Sequence, residues 1–262
     1  MAAAESILSC ARTQGRVIGA LFLREILTRF GRHNIGFMWL FVEPMLFTSG
    51  VLGVWTLFHG HKTPFPLIPF CVSGYGTILM WRNTIGRSGN AVEPNRALLH
   101  HRNVRIIDLF AARIVLEVTG ASVSFLILFT FFMAIGKMAP PDDVLKMLLA
   151  WFLLSWFSVG MALIVGSIAT FSEPFERFWH VFAYLYLPAS GAFFTVAMLP
   201  PSVQAIAVWV PTVNCTELLR EGIFGTAIGA RYNLFYMVTL NLSLMLPGLL
   251  LVRRVQLTVE GE

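Results

Sequence analysis

A chain of 262 residues that is 56% hydrophobic and 13% charged, with a mean hydropathy of +0.72, is too apolar for a soluble domain of that length and reads as an integral membrane protein. The formal charge of +5 does not argue for nucleic-acid binding, because the placement of the cations along the chain matters more than their sum. Cys10, Cys71 and Cys215 stand in well-separated segments, which gives no disulfide framework and no cysteine metal spacing.

The first 35 residues lack a continuous apolar core and carry five arginines, so no cleavable signal peptide is expected there. From Arg12 to Arg32, Ile18, Leu21, Phe22, Ile26 and Phe30 recur at helical steps, while Arg16, Arg24, Glu25, Thr28 and Arg29 stay off the stripe. This pattern predicts an amphipathic helix lying in the membrane interface.

The first span is expected over about Phe37 to Phe58, long enough at about 1.5 Å per residue for a hydrocarbon core of roughly 30 Å, with Glu43 and Pro44 inside it. A second, about Pro66 to Gly86, carries Trp81 and Arg82 near its cytoplasmic end. Ser88 to Arg105 is then the one long basic connection between two apolar blocks. In it Asn95 is the expected N-cap of a short helix bearing Arg96, His100, His101 and Arg102 around Ala97, Leu98 and Leu99. That is the format of a helix docking on a partner, and equally of an ordinary cytoplasmic loop rich in cations.

The third span, about Ile107 to Ile135, contains Asp108, Arg113 and Glu117 and is long enough to tilt or protrude. The fourth, about Leu145 to Phe171, aligns Ser158, Ala162, Gly166 and Thr170 on one face for close helix packing. A turn over Ser172 to Arg177 leads to a fifth span at about Phe178 to Met198, with a kink at Pro188. Two short Pro-bounded segments, Val203 to Val210 and Cys215 to Phe224, suggest a re-entrant hairpin in the outer leaflet, or else a surface loop with two helical turns. The sixth span runs from about Asn233 to Val252. Of the lysines and arginines, Arg82 and Arg113 lie in spans, Lys62, Lys137, Lys146, Arg220 and Arg231 fall on one side, and all the others fall on the side of the termini. That asymmetry puts both termini in the cytoplasm, and nothing divides residues 1–262 into more than one membrane domain.

No phosphate-cradling GxxxxGK[ST], no HExxH, no GxSxG and no dinucleotide fingerprint occurs, so the chain carries no visible engine. Glu43, Arg113 and Glu117 are expected to pair with one another inside the spans, Arg113 with Glu117 for instance, because an unpaired charge there costs roughly 2.5 to 3.5 kcal/mol. Arg82 and Arg87, with Arg32 and His33 beside them, form a basic inner mouth suited to an anionic substrate, and Trp39, Tyr75 and Trp81 offer ring faces to a sugar. A proton-coupled transporter using Glu43, Glu117 or Asp108 would require inverted repeats, which six unequal spans do not supply. An enzyme acting on lipid-linked sugars would need clustered acids, whereas Asp142 and Asp143 form an isolated pair beside a Pro-Pro turn.

The runs GRHNIGFMWLFVEP (Gly31 to Pro44), EPNRALLHHRNVRIIDLFAARIVLE (Glu93 to Glu117) and LPPSVQAIAVWVPTVNCTELLREGIFG (Leu199 to Gly225), in this order on a six-span all-α frame, resemble the KpsM-type membrane subunits of ABC exporters of capsular polysaccharide. The resemblance implies a non-catalytic homodimer whose canal carries a lipid-linked acidic glycan. It also implies a KpsT-like ATPase partner that holds ATP and Mg, this chain needing no cofactor, and a periplasmic KpsE-like adaptor leading to an outer-membrane translocon. By the same resemblance Asn95 to Arg102 would be a coupling helix on the ATPase, with Glu173 in the turn beside it. O-antigen and teichoic-acid exporters share the layout.

Overall fold

A computed structural model describes residues 2–30, 34–59, 65–99 and 104–260, and among these all the regular structure is helical. The major helices are α1 (Ala2–Phe30), α2 (Asn34–His59), α3 (Leu67–Ser88), the single turn α4 (Arg96–Leu99), α5 (Ile106–Ala134), α6 (Val144–Phe171), α7 (Glu173–Tyr186), α8 (Pro201–Ala207), α9 (Pro211–Phe224) and α10 (Leu234–Glu260). Four of them are long and apolar enough to cross a membrane: α2 over Met38–Leu57, and α5, α6 and α10.

Helix α3 is long enough but not apolar enough for that group, and its surroundings explain why. It is the central helix, packed by α2, α5, α6 and α9, so it sheds lipid-facing bulk and carries hydroxyls and glycines instead. The hydroxyls of Ser73, Thr77 and Ser88 turn back onto the carbonyls of Phe70, Gly74 and Ile85, which satisfies them without a partner helix. Around α3 gathers the main core, including Trp81, Phe125, Phe157 and Leu219.

The small face of α6 is a packing face. Ser158 and Ala162 are fully buried, and Gly166 admits Phe110 and Ser88 so closely that any side chain there would collide with both. On its other flank α6 lies along α10, where Asn241 donates to the carbonyl of Leu153 at 3.0 Å inside the apolar layer. Asn241 is fully buried, so that bond holds two spans in one register.

The stretch from Ser172 onward departs from the expected six-residue turn and fifth span kinked at Pro188. Ser172 alone separates α6 from α7: its hydroxyl accepts from the Phe175 amide at 3.4 Å, Pro174 occupies the first turn, and Glu173 and Glu176 meet the positive helix end. Helix α7 stops at Tyr186 after 14 residues, about 21 Å, too short for a crossing of roughly 30 Å. Pro188 does not kink a continuing helix; the chain tightens into a 3-10 turn over Leu187–Ala189 and leaves helical geometry at Gly191, whose φ of +86° suits glycine.

The chain then folds back through α8 and α9. Helix α9 is buried on nearly every side against α6 and α3, and the Asp143 amide donates to the Gly222 carbonyl at 2.9 Å where α6 begins. Lys146 of α6 pairs with Glu221 of α9 at 2.9 Å. Arg220, counted above among loop cations, is fully buried in α9.

Candidate coupling and transport site

The charges of α1, α2, α3 and α5 form one network, built chiefly from the polar face of α1. Gln14 bonds Asp108, Glu25 takes the guanidinium of Arg113, and Arg29 pairs with Glu117, so three contacts attach α1 to α5. From Gln14 to Arg29 is about 22 Å along α1, while Asp108 to Glu117 is about 14 Å along α5, so α1 leans obliquely against α5. Its stripe of Ile18, Leu21 and Phe22 packs on Leu109 and Ala112 and faces protein, while Leu23 and Leu27 point outward.

The expected pairing of Arg113 with Glu117 on one helix is therefore corrected. Both side chains reach across helices: Arg113 goes to Glu25 and to the Arg87 carbonyl at 3.1 Å, and Glu117 is shared by Arg29 and by Arg87 at 3.1 Å. Arg87 also reaches Glu43 at 3.4 Å, which ties α2 to the same network. Inter-helix pairing leaves none of these carboxylates alone in the apolar layer, and with Glu117 only 3% exposed that matters most there.

Arg82 is different. Among the described residues its contacts are the rings of Phe47 at 5.7 Å and Tyr184 at 5.4 Å, with no carboxylate beside it. Phe47 and Tyr184 are exposed, as is Trp39 on the same helix as Phe47, so Arg82 stands on an open aromatic face spanning α2, α3 and α7. Trp81 and Tyr75, expected on the same wall, are instead enclosed: Trp81 stacks edge-on with Tyr186 in the core, and Tyr75 is covered by Phe47 and Phe193. Residues one apart on a helix point about 100° apart, so Arg82 can reach the surface only by turning Trp81 inward.

In the basic connection, 3-10 turns at Gly89–Ala91 and Glu93–Asn95 precede α4. Asn95 is not the helix cap expected of it. Its side chain is buried, donates to the Ala91 carbonyl at 2.9 Å and takes the guanidinium of Arg24, which pins the connection to α1. Leu98 and Leu99 likewise turn inward onto Leu21 and Leu109 and are not a free stripe; Arg96, exposed, pairs with Glu93 at 3.3 Å. Glu173 is exposed and pairs with Arg177 at 3.4 Å. Arg32, His33, His100, His101 and Arg102 lie outside the described residues.

A second site went unread in the sequence. Arg220 donates to the carbonyls of Gly191 at 2.8 Å, Phe194 at 2.5 Å and Ala192 at 2.5 Å, with its guanidinium 3.9 Å from the centre of the Phe70 ring. One turn away, Glu217 accepts from the amides of Val196 at 3.1 Å and Arg231 at 3.0 Å. The pair clamps the irregular 190–196 segment and the approach to α10 onto α9. The signal was the i, i+3 spacing of Glu217 and Arg220 in a Pro-started helix. Among the described residues no cluster of three or more His, Cys, Asp or Glu could hold a metal.

The family model for the ABC-2 type transporter membrane domain matches residues 16–224. The chain is 42% identical over 250 residues to the capsule polysaccharide export inner-membrane protein CtrC of Neisseria meningitidis serogroup B, covering 95% of this chain and 94% of that one. It is 41% identical over 250 residues, with the same coverages, to the capsule polysaccharide export inner-membrane protein BexB of Haemophilus influenzae. The polysialic acid transport protein KpsM of Escherichia coli is more distant, at 29% identity over 246 residues, 90% of this chain and 92% of that one. Helices alone are common to many membrane proteins, but likeness over nearly the whole length of these relatives is not, and the chain belongs to the ABC-2 type transporter family, in the group of the capsule polysaccharide export inner-membrane proteins.

Proposed function

We propose that this chain is the membrane subunit of a capsular polysaccharide exporter in the inner membrane, a passage without catalytic groups of its own. The observation that carries the reading is the likeness to CtrC and BexB along 94% of the length of each. In this reading residues 1–262 are one membrane domain crossing six times, with α3 and the α7 segment adding to the four apolar helices. Helices α8 and α9 form a re-entrant hairpin on the outer side, and both termini are cytoplasmic. Two copies enclose the canal, and a KpsT-like subunit hydrolyses ATP with Mg below them. A KpsE-like adaptor receives the glycan in the periplasm.

The geometry supports a specific route for the driving force. A push on the connection at α4 reaches α1 through Arg24 and Asn95, and α1 passes it to α5, α3 and α2 through Arg29, Glu117, Arg87 and Glu43. The docking surface is then polar, centred on Glu93 and Arg96, since Leu98 and Leu99 are spent on the junction with α1. Arg82, flanked by exposed rings, supplies a cation and ring faces to an acidic sugar chain passing along α2 and α7.

The test is purification in mild detergent with and without Arg96→Glu, followed by capsule measurement at the cell surface. The expected outcome is an ATP-binding subunit that accompanies the wild type and is lost from the variant, together with surface capsule. Transport that persists when the ATPase is inactivated and follows a proton gradient would overturn the reading.

A further inference from the structure

Between α5 and α6 lies a groove of about 360 Å³, its lining including Ile114, Val115, Val118, Thr119, Ser155, Trp156 and Val159. The Ser155 hydroxyl in it already bonds the Trp151 carbonyl at 2.7 Å. Val115 is 46% exposed, so the groove opens outward from two of the apolar spans, where the neighbour in a membrane is hydrocarbon.

Its inner end is cationic. Ile114 belongs to one buried cluster with Ile106, Phe110, Val252 and Val255, and Val118 and Val159 pack on that cluster. Arg105 immediately precedes Ile106, and Arg253 and Arg254 lie between Val252 and Val255. All three arginines are exposed, and among the described residues none of their guanidinium groups is in an ion pair, although the Arg105 amide donates to the Asp108 carboxylate at 2.9 Å. Along α5 the groove begins about 12 Å from Ile106 and continues to about 18 Å at Val118. One leaflet of hydrocarbon is about 15 Å deep, so a phosphate held at the level of the arginines hangs its acyl chain at the level of the groove.

We infer that the groove between α5 and α6 is a binding site for an anionic phospholipid of the inner leaflet, one acyl chain against Trp156 and Val115 and the headgroup phosphate on Arg105, Arg253 and Arg254. Basic residues at the cytoplasmic mouth of an inter-helix groove are the arrangement that selects anionic headgroups over zwitterionic ones. None of the residues lining the groove is among those flanking Arg82, so the site is separate from the proposed contact of Arg82 with the glycan.

The experiment places the purified transporter in phosphatidylcholine vesicles doped with brominated phosphatidylglycerol or, separately, brominated phosphatidylcholine, whose chains quench tryptophan on contact. The Trp156 share is the difference between the wild type and Trp156→Phe. The expected result is half-quenching of that share at a much lower fraction of the anionic lipid. Arg253→Gln with Arg254→Gln should weaken the preference by about thirtyfold, two cations' worth of attraction to an anionic surface. Arg105→Gln is the independent variant should the double change fail to insert. Equal quenching by the two lipids, or a preference untouched by the arginine variants, overturns the headgroup site. A Trp156 share that neither lipid quenches means that protein covers the groove, and it overturns the inference altogether.

Discussion

Glu117 is the residue on which the inner network closes, because two cations from different helices meet on one nearly buried carboxylate. Removing one partner of such a pair leaves charge stranded in an apolar layer and costs about 3 to 5 kcal/mol. Glu117→Gln is therefore expected to lower the thermal midpoint of the purified protein sharply, and Arg29→Gln in the same chain to cost less than the sum of the two single changes. Strict additivity in that double-mutant cycle would mean that the two side chains do not interact. Asn241 makes a milder case: Asn241→Leu loses one inter-helix bond worth about 0.6 to 2 kcal/mol in a membrane, and the measurement is the unfolding midpoint. None of these partners could be read from the sequence. Spacing predicts neighbours three or four residues apart, whereas Arg29 and Glu117 lie 88 residues apart, and only the fold decides which polar face meets which.

Helices bounded by long apolar runs and clear breaks were legible: α2, α5 and α6 stand within a few residues of where periodicity and hydropathy put them. The fifth segment was not, because Phe178 to Met198 is predominantly apolar and composition cannot tell a membrane-crossing helix from a shorter one followed by a buried irregular stretch of chain. What keeps that irregular part buried is Arg220, whose three carbonyl contacts replace the helical hydrogen bonds that Ser190 to Val196 lack. Arg220→Lys cannot reach three carbonyls with a planar fork, so faster amide exchange over 190–196 and reduced export are expected while the spans stay protected. Exchange unchanged in that segment would show that the clamp is dispensable. At the other end, the apolar stripe of the basic connection was visible in the sequence, but its direction was not. With Leu98 and Leu99 packed on α1, changing both to Asp is expected to loosen α1 from α5 first, seen as protease cleavage within α1 before any loss of spans.

Taken as a whole, the chain is divided into an end held by charge, the inner one in the proposed topology, and an outer end held by a buried clamp, with α3 passing through both. The inner pairs run between α1, α2, α3 and α5; the outer ones join α9 to α6, to the 190–196 segment and to the start of α10. Salt weakens ion pairs that solvent can reach far more than buried ones. High ionic strength in detergent should thus free α1, where Arg29 is 23% exposed, before it disturbs α9, where Arg220 is enclosed. Limited proteolysis across a salt series reads that order directly, and cleavage of the outer segment first would contradict it.

Ser172 sets one more limit on how this molecule can deform. A joint of one residue between α6 and α7 allows rotation but no sliding, so α7 is a lever with its fulcrum at Ser172. A tilt of about 10° on an arm of about 21 Å sweeps its far tip through about 4 Å, roughly the width of an aliphatic side chain. Small angular displacements beside the basic connection are thereby magnified where the chain leaves Tyr186, at the opposite end of the arm.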